Sequence, residues 1–287
     1  MTKSIITTLL LLLPLLATAQ NILYGQSDST TIERILKKHS AITYDSQGEL
    51  IMALAKEFIG KRYIPNTLDK GKDEPLFISC DSLDCSTFVE LVTAIAMSIA
   101  RHEPTFAATC SNLEKIRYRN GKRNGYDSRL HYTSWWIADN AARGIIEEVT
   151  TKTEHKQQHL NLNFMSSHPG SYAMLKEDTA MQTKIAELEK PFRDITVPYI
   201  PKQMLSMGHK TLKIENGDIV ALMTTIEGLD VSHVGFALWI GENLHLVHAS
   251  SSKGEVIIDP ATLYVYQQKK KRQIGIRVLR LQQQGEQ

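Results

Sequence analysis

From Asp194 onward the sequence changes period, and that change limits the fold more than any other feature. Ile195-Thr196-Val197-Pro198-Tyr199-Ile200-Pro201 must be extended, because its two prolines exclude a helix. Short apolar runs follow over 217–222, 232–240, 244–248, 255–258 and 274–281, joined by Gly-Glu-Asn and Ser-Lys-Gly turns. That spacing predicts an antiparallel sheet. Upstream the apolar residues recur at helical spacing instead. Helices early and strands late predict an α+β fold, with N-terminal helices packed on a C-terminal antiparallel sheet.

The helical half carries its own punctuation. A short helix is expected over 31–38. Ser46 and Glu49 form a capping-box pattern, after which Ile51, Leu54 and Phe58 share one face until Gly60. Residues 61–79 read as a loop, given Pro65, Asn66, Gly71 and Pro75. Further helices are expected over 85–101, 110–119, 134–143 and 172–189. Ile145 to Val149 reads as a strand and 151–170 as irregular. The block at about 150–190 reads as an insertion on a single domain spanning 20–287, and no internal repeat is present.

The helix over 85–101 has the most informative start, Asp84-Cys85-Ser86-Thr87-Phe88-Val89-Glu90. Phe88, Val89, Val92, Ile95 and Ile99 form its core face. Cys85 falls in the first turn, among N–H groups that have no intrahelical partner and at the positive end of the macrodipole. That position favours the thiolate, the nucleophilic form of cysteine. A cysteine there can equally be a small buried hydrophobe, so the remaining sequence has to decide.

A cysteine nucleophile needs a base within reach and a third group to orient it. Ser232-His233-Val234-Gly235-Phe236 places His233, Gly235 and Ala237 on one strand face. Leu244-His245-Leu246-Val247-His248 offers two histidines that point to opposite faces. If the two strands form a hairpin, one of them sits beside His233. His155 and His159 share the i, i+4 spacing of a zinc pair, but their segment reads as a loop and has no third ligand nearby. Neither a metal nor any other cofactor is expected.

The N-terminus fixes the compartment. Lys3, the apolar run Ile5 to Leu16 and Ala17-Thr18-Ala19 have the order of a cleavable signal peptide over residues 1–19. The run falls short of the about 20 apolar residues a membrane span needs. An exported, soluble, periplasmic monomer with no membrane span is expected. The net charge of +2 gives no reason to expect a nucleic-acid partner, and Lys269-Lys270-Lys271-Arg272 reads as a solvated turn. Three cysteines, Cys80, Cys85 and Cys110, leave at least one thiol free or paired between chains. A bridge from Cys80 to Cys110 would leave Cys85 free.

Five short motifs occur in order: Gly60-Lys61-Arg62-Tyr63, Asp84-Cys85-Ser86-x-Phe88-Val89, Asn216-Gly217-Asp218-Ile219-Val220, Ser232-His233-Val234-Gly235-Phe236 and Val247-His248-Ala249. Together they resemble the signature of the NlpC/P60 cysteine peptidases. Arg129-Leu130-His131-Tyr132, Trp136-Ile137 and Pro198-Tyr199-Ile200-Pro201 are similar to motifs of one branch, the DUF1460 amidase-like family. The chain departs from that branch at Trp135, where relatives carry an acidic residue.

The resemblance implies a papain-like core and peptidoglycan fragments as the substrate and partner class. Within the branch it implies N-acetylmuramoyl-L-alanine amidase activity on muropeptides, in their 1,6-anhydro form, in peptidoglycan degradation or recycling. Other NlpC/P60 members cut between D-glutamate and the diamino acid, and a non-catalytic wall-binding module is a third possibility. The chemistry and the resemblance agree on Cys85 as nucleophile, His233 as base and His248 as its orienting partner. The Cys85 N–H and the Tyr63 hydroxyl are the expected oxyanion donors. Asp84 either contacts substrate or caps the helix. Arg129, His131, Tyr132, Trp135 and Trp136 form a cluster suited to stacking on a sugar, and Ser232 stands beside the base.

Overall fold

The computed structural model describes residues 21–69 and 73–282. The expected signal peptide lies outside the described residues. The helical half holds α1 (Gln26–Ser40), α2 (Gln47–Lys56), α3 (Cys85–Ala100), α4 (Phe106–Arg117) and α5 (Thr133–Ala142). Among them lie the short strands β1 (Ile22–Leu23), β2 (Arg62–Tyr63), β3 (Leu76–Phe77) and β4 (Ser82–Leu83). Then come β5 (Ile146–Glu148), β6 (Lys156–Leu160) and β7 (Ile195–Pro201). The C-terminal part is β8 (Ile219–Thr224), β9 (Val231–Ile240), β10 (Asn243–Ser250), β11 (Glu255–Thr262) and β12 (Gln273–Leu281).

The main sheet runs β4-β2-β11-β10-β9-β8-β12-β7-β6, with β5 also paired to β12. Its C-terminal strands are antiparallel, as their spacing predicts. The sheet as a whole is mixed, which corrects the purely antiparallel expectation. β2 pairs in parallel with β4, and β1 with β3 in a separate two-stranded sheet. β2, β3 and β4 lie in the 61–79 loop and its flank, and β1 lies ahead of α1. At two residues each they are too short to show a period.

The helix starts follow their caps. Ser46 accepts from the Glu49 N–H at 3.1 Å, and Glu49 reaches back to the Asp45 N–H at 3.2 Å. α4 begins earlier than expected, at Phe106, because the Thr105 side chain caps it. The helix expected over 172–189 is confined to Thr179–Glu189, capped by Asp178. Within the stretch read as irregular, β6 pairs with β7 residue by residue. The two histidines at i, i+4 spacing have separate partners: His155 Nδ1 donates to the Thr153 carbonyl at 3.0 Å and His159 faces Asp194. A helix over Leu263–Gln268, capped by Thr262, was not expected.

α3 is the central helix. Residues 87–98 are all buried, since α1, α2 and α4 pack around it and its apolar face lies on the sheet. Phe88 stands between Phe58 of the α2 C-terminal turn and Phe236 of β9, edge-on to both at 6.2 and 5.6 Å. Burying one such ring is worth about 1.5–3 kcal/mol, so this stack fixes α3 on β9. A second apolar cluster fills the opposite sheet face, where Val220, Leu222, Ala237, Leu244 and Leu246 meet the Leu263–Gln268 helix.

Candidate active site

Cys85 is the first residue of α3, and the cap beneath it is fully made. Asp84 Oδ1 accepts from the Thr87 N–H at 2.8 Å and from the Thr87 hydroxyl at 2.9 Å, while Thr87 Oγ1 accepts from the Asp84 N–H at 2.9 Å. Of the two roles read for Asp84, capping is therefore occupied. Cys85 is half-buried, and its sulfur lies 4.0 Å from the Ser86 hydroxyl. The Val234 N–H, next to His233 on β9, favours the anion of that sulfur.

Burial works against the expected preference for thiolate. Dense packing pushes the Cys85 thiol up to about 11, and the Asp84 carboxylate adds to the rise. The N–H groups of Val234 and Ser86 and the Ser86 hydroxyl pull the other way but do not prevail. Desolvation of a sulfur anion here exceeds what the helix start returns. All three cysteines are free thiols, so no Cys80–Cys110 bridge is present.

His233 and His248 meet as the hairpin pattern predicts. His233 Nε2 lies 2.6 Å from His248 Nδ1, with the rings nearly perpendicular. Burial, reinforced by His248 and Lys270, lowers the His233 pKa to about 3, so its ring is neutral at pH 7. Burial also lowers His248, with Asp259 opposing that shift. His245, the alternative partner, points away and donates from Nδ1 to the Asp259 carbonyl at 3.0 Å.

One site residue was missed by sequence reasoning. Asp259 on β11 places Oδ2 3.4 Å from His248 Nε2. The edge of the Tyr266 ring packs on His248 at 5.6 Å. Both Tyr63 and Tyr266 are held above the usual phenol range by burial, with the nearby Cys85 sulfur contributing. Tyr63, expected as an oxyanion donor, is therefore near enough to Cys85 to feel the charge of its sulfur. Ser232 is engaged elsewhere: its hydroxyl donates to the Leu222 carbonyl and accepts from Gln273 Nε2, within the sheet.

A cleft of about 280 Å³ opens beside the start of α3. It reaches Asp84 and Ser86, which flank Cys85, and is lined further by Asp69, Arg129, His131 and Tyr132. The aromatic and polar cluster therefore borders the centre, but most of it is tied into the core. Arg129 donates to the Leu68 carbonyl at 3.0 Å and to the Asp69 carboxylate, fixing the loop over the cleft. The Tyr132 hydroxyl donates to Glu189 and accepts from the Met165 N–H. His131 Nε2 donates to the Tyr126 carbonyl at 2.8 Å, and burial and Arg129 hold its ring neutral. Trp135 is 1% exposed and Trp136 7%, so they serve as core rather than as stacking surfaces.

Among the described residues, no group of three His, Cys, Asp or Glu side chains could hold a metal ion, and no helix is long and apolar enough to cross a membrane. The site groups a thiol with two neutral imidazoles in contact and a carboxylate beyond them, residue types suited to attack on a carbonyl carbon.

Known proteins carry the same architecture. An N-acetylmuramoyl-L-alanine amidase from Bacteroides uniformis shares 34% identity over 82% of this chain and 99% of its own, with a TM-score of 0.78. A protein from Bacteroides fragilis described as a putative xylanase shares 40% identity over 80% and 99%, with a TM-score of 0.75. A Legionella pneumophila protein of the DUF1460 family, at 24% identity over 89% and 94% and a TM-score of 0.68, shares the fold. No curated protein matches. The family model for N-acetylmuramoyl-L-alanine amidase-like proteins (AmiA-like) matches residues 53–276, from α2 into β12. The chain belongs to this amidase-like family.

Proposed function

We propose that this protein is a cysteine-dependent N-acetylmuramoyl-L-alanine amidase of the NlpC/P60 type, exported by its first 19 residues, that removes stem peptides from 1,6-anhydro-muropeptides during peptidoglycan degradation or recycling. The observation that carries this reading is the 2.6 Å contact of His233 with His248, on the strand whose Val234 N–H favours the anion of the Cys85 sulfur. His233 Nε2 is committed to His248, which leaves Nδ1 as its free nitrogen. The thiol proton passes to Nδ1 as Cys85 Sγ attacks the lactyl carbonyl. The Cys85 N–H and the Tyr63 hydroxyl receive the developing oxyanion. Collapse breaks the C–N bond, and the Nδ1 proton leaves on the L-alanine amine. Water then attacks the thioester, giving its proton to Nδ1, which returns one to sulfur as the carboxylate departs.

The resting thiol and imidazole are both neutral, so proton transfer and attack go together rather than from a preformed ion pair. The cleft bordered by Arg129 and Tyr132 receives the sugar end. Glycoside hydrolysis, as a xylanase performs it, requires two carboxylates flanking one bond. The centre here presents a thiol and imidazoles to the substrate, and Asp84 is occupied in capping α3.

Product masses test the reading. The purified protein is incubated with anhydro-muropeptides and with intact sacculi. Release of free anhydro-sugar with the whole stem peptide is expected. A sugar still bearing L-Ala-D-Glu would replace it with a γ-D-glutamyl–diamino acid endopeptidase. Activity retained by Cys85→Ala would remove the cysteine mechanism.

A further inference from the structure

The contact between the two histidines holds one proton, and its location decides whether His233 can act as a base. If His233 Nε2 carries it, His233 Nδ1 is bare and can accept from Cys85. His248 Nδ1 is then the acceptor, so the His248 proton must sit on Nε2. If His248 Nδ1 carries it, His233 is protonated on Nδ1 and has no lone pair for the thiol. The 2.6 Å distance fits either pattern. Something outside the pair must choose.

The chooser faces the far side of His248. Asp259 Oδ2 stands 3.4 Å from His248 Nε2, and among the described residues that buried nitrogen has no hydrogen-bond partner. A bare Nε2 would set a lone pair against a carboxylate, whereas Nε2–H turns the same contact attractive. We propose that Asp259 is a positioning residue that fixes the proton pattern of both histidines, leaving His233 Nδ1 free to take the thiol proton. This rests on the reading of Cys85 and His233 as nucleophile and base.

The backbone is built for this placement. β10 and β11 pair as Val247 with Ile258 but His245 with Thr262, so one residue of β10 opposes three of β11, Asp259 to Ala261. Such a bulge re-aims side chains, and Pro260 lies inside it. Asp259 is 9% exposed and held by two hydrogen bonds. Its Oδ1 accepts the Ala261 N–H at 2.9 Å, and its carbonyl accepts from His245 Nδ1. Oδ2 is left for His248. His245, outside the catalytic pair, thus anchors the residue that sets it. No proton travels to Asp259 during the reaction: Nε2–H of His248 stays in place while the thiol proton moves only to His233 Nδ1 and on to the leaving amine.

The full-length mature protein with ¹⁵N-labelled histidine tests this directly. Long-range ¹⁵N–¹H spectra at pH 7 should show both His233 and His248 protonated on Nε2. His248 protonated on Nδ1 in the unaltered protein overturns the proposal, and this needs no variant to fold. Asp259→Asn and Asp259→Leu should lower kcat about 10²-fold with KM little changed, and mix or invert the two tautomers. Asp259→Glu should restore part of kcat. Unchanged kcat and tautomers in a folded Asp259→Leu would also overturn it. Loss of the nucleophile-and-base reading would instead appear as activity in Cys85→Ala, leaving the tautomer result standing.

Discussion

A Cβ built on Gly235 lies 3.0 Å from His248 Cβ and 2.7 Å from the Val247 carbonyl oxygen. Gly235 sits two residues beyond His233 on the same strand, and its missing side chain is the space through which β10 brings His248 against that ring. Gly235→Ala must push the two strands apart. Overpacking of this kind costs about 1–3 kcal/mol. A displacement of about 1 Å at the reacting groups costs on the order of 10² in rate. Urea unfolding and kcat should therefore both fall, with KM less affected. A fully active Gly235→Ala would show that the His233–His248 contact is not needed.

The buried neutral imidazole of His233 links stability to pH. Its pKa is about 3 when folded against an ordinary 6.5, so between those values the unfolded chain binds the extra proton. The contribution is complete above about pH 6.5 and is lost as the pH falls toward 3, at up to about 1.4 kcal/mol per pH unit. His233→Asn removes that slope. Urea midpoints at pH 7, 6, 5 and 4 should fall less steeply in the variant. An identical slope would place the His233 ring in a solvated setting.

Asp84 raises the thiol it precedes, second only to burial. Asp84→Asn keeps the cap, because an amide oxygen can accept from Thr87 as the carboxylate does, while the charge is removed. The Cys85 pKa should fall from about 11, and iodoacetamide should label it several-fold faster at pH 8. An unchanged labelling profile would show that the carboxylate is too well solvated to act on the sulfur.

Glu90, two turns from Asp84, forms a buried pair with Arg117 at 2.7 Å, and Arg117 also donates to the Phe77 carbonyl. The two partners are unequal. Burial already raises the Glu90 pKa, so Glu90 can neutralise itself by taking a proton, whereas a guanidinium cannot shed one. Glu90→Leu should therefore cost about 3–5 kcal/mol in urea unfolding, and Arg117→Met less. The double variant should recover much of the larger loss. Equal costs would show that Glu90 stays ionised without its partner.

Periodicity carried well where an element was long enough to repeat. The α3 face, the Ser46 and Glu49 cap, and the strands from β8 to β12 all follow from spacing and end signals. The pieces that escaped are short or one-sided. β2, β3 and β4 have two residues each, and β6, as Lys156-Gln157-Gln158-His159-Leu160, is polar because it lies at the sheet edge. Pairing with neighbours, rather than local pattern, makes these strands. Asp259-Pro260 did leave a trace: proline inside a strand marks a bulge, and a bulge re-aims what stands beside it.

The sequence by itself determined which chemistry is available: a cysteine at a helix start, a glycine two residues beyond a strand histidine, and a second strand carrying two more histidines. These depend on local geometry, where a residue's place in its own element decides its direction. The tertiary structure alone decided which atoms meet and in what charge state. His248 rather than His245 faces His233 because the hairpin register sets them together. Asp259 reaches His248 because the β10–β11 ladder is offset. The Cys85 thiol is pushed up because burial of its sulfur, which the helix start alone does not set, disfavours the anion.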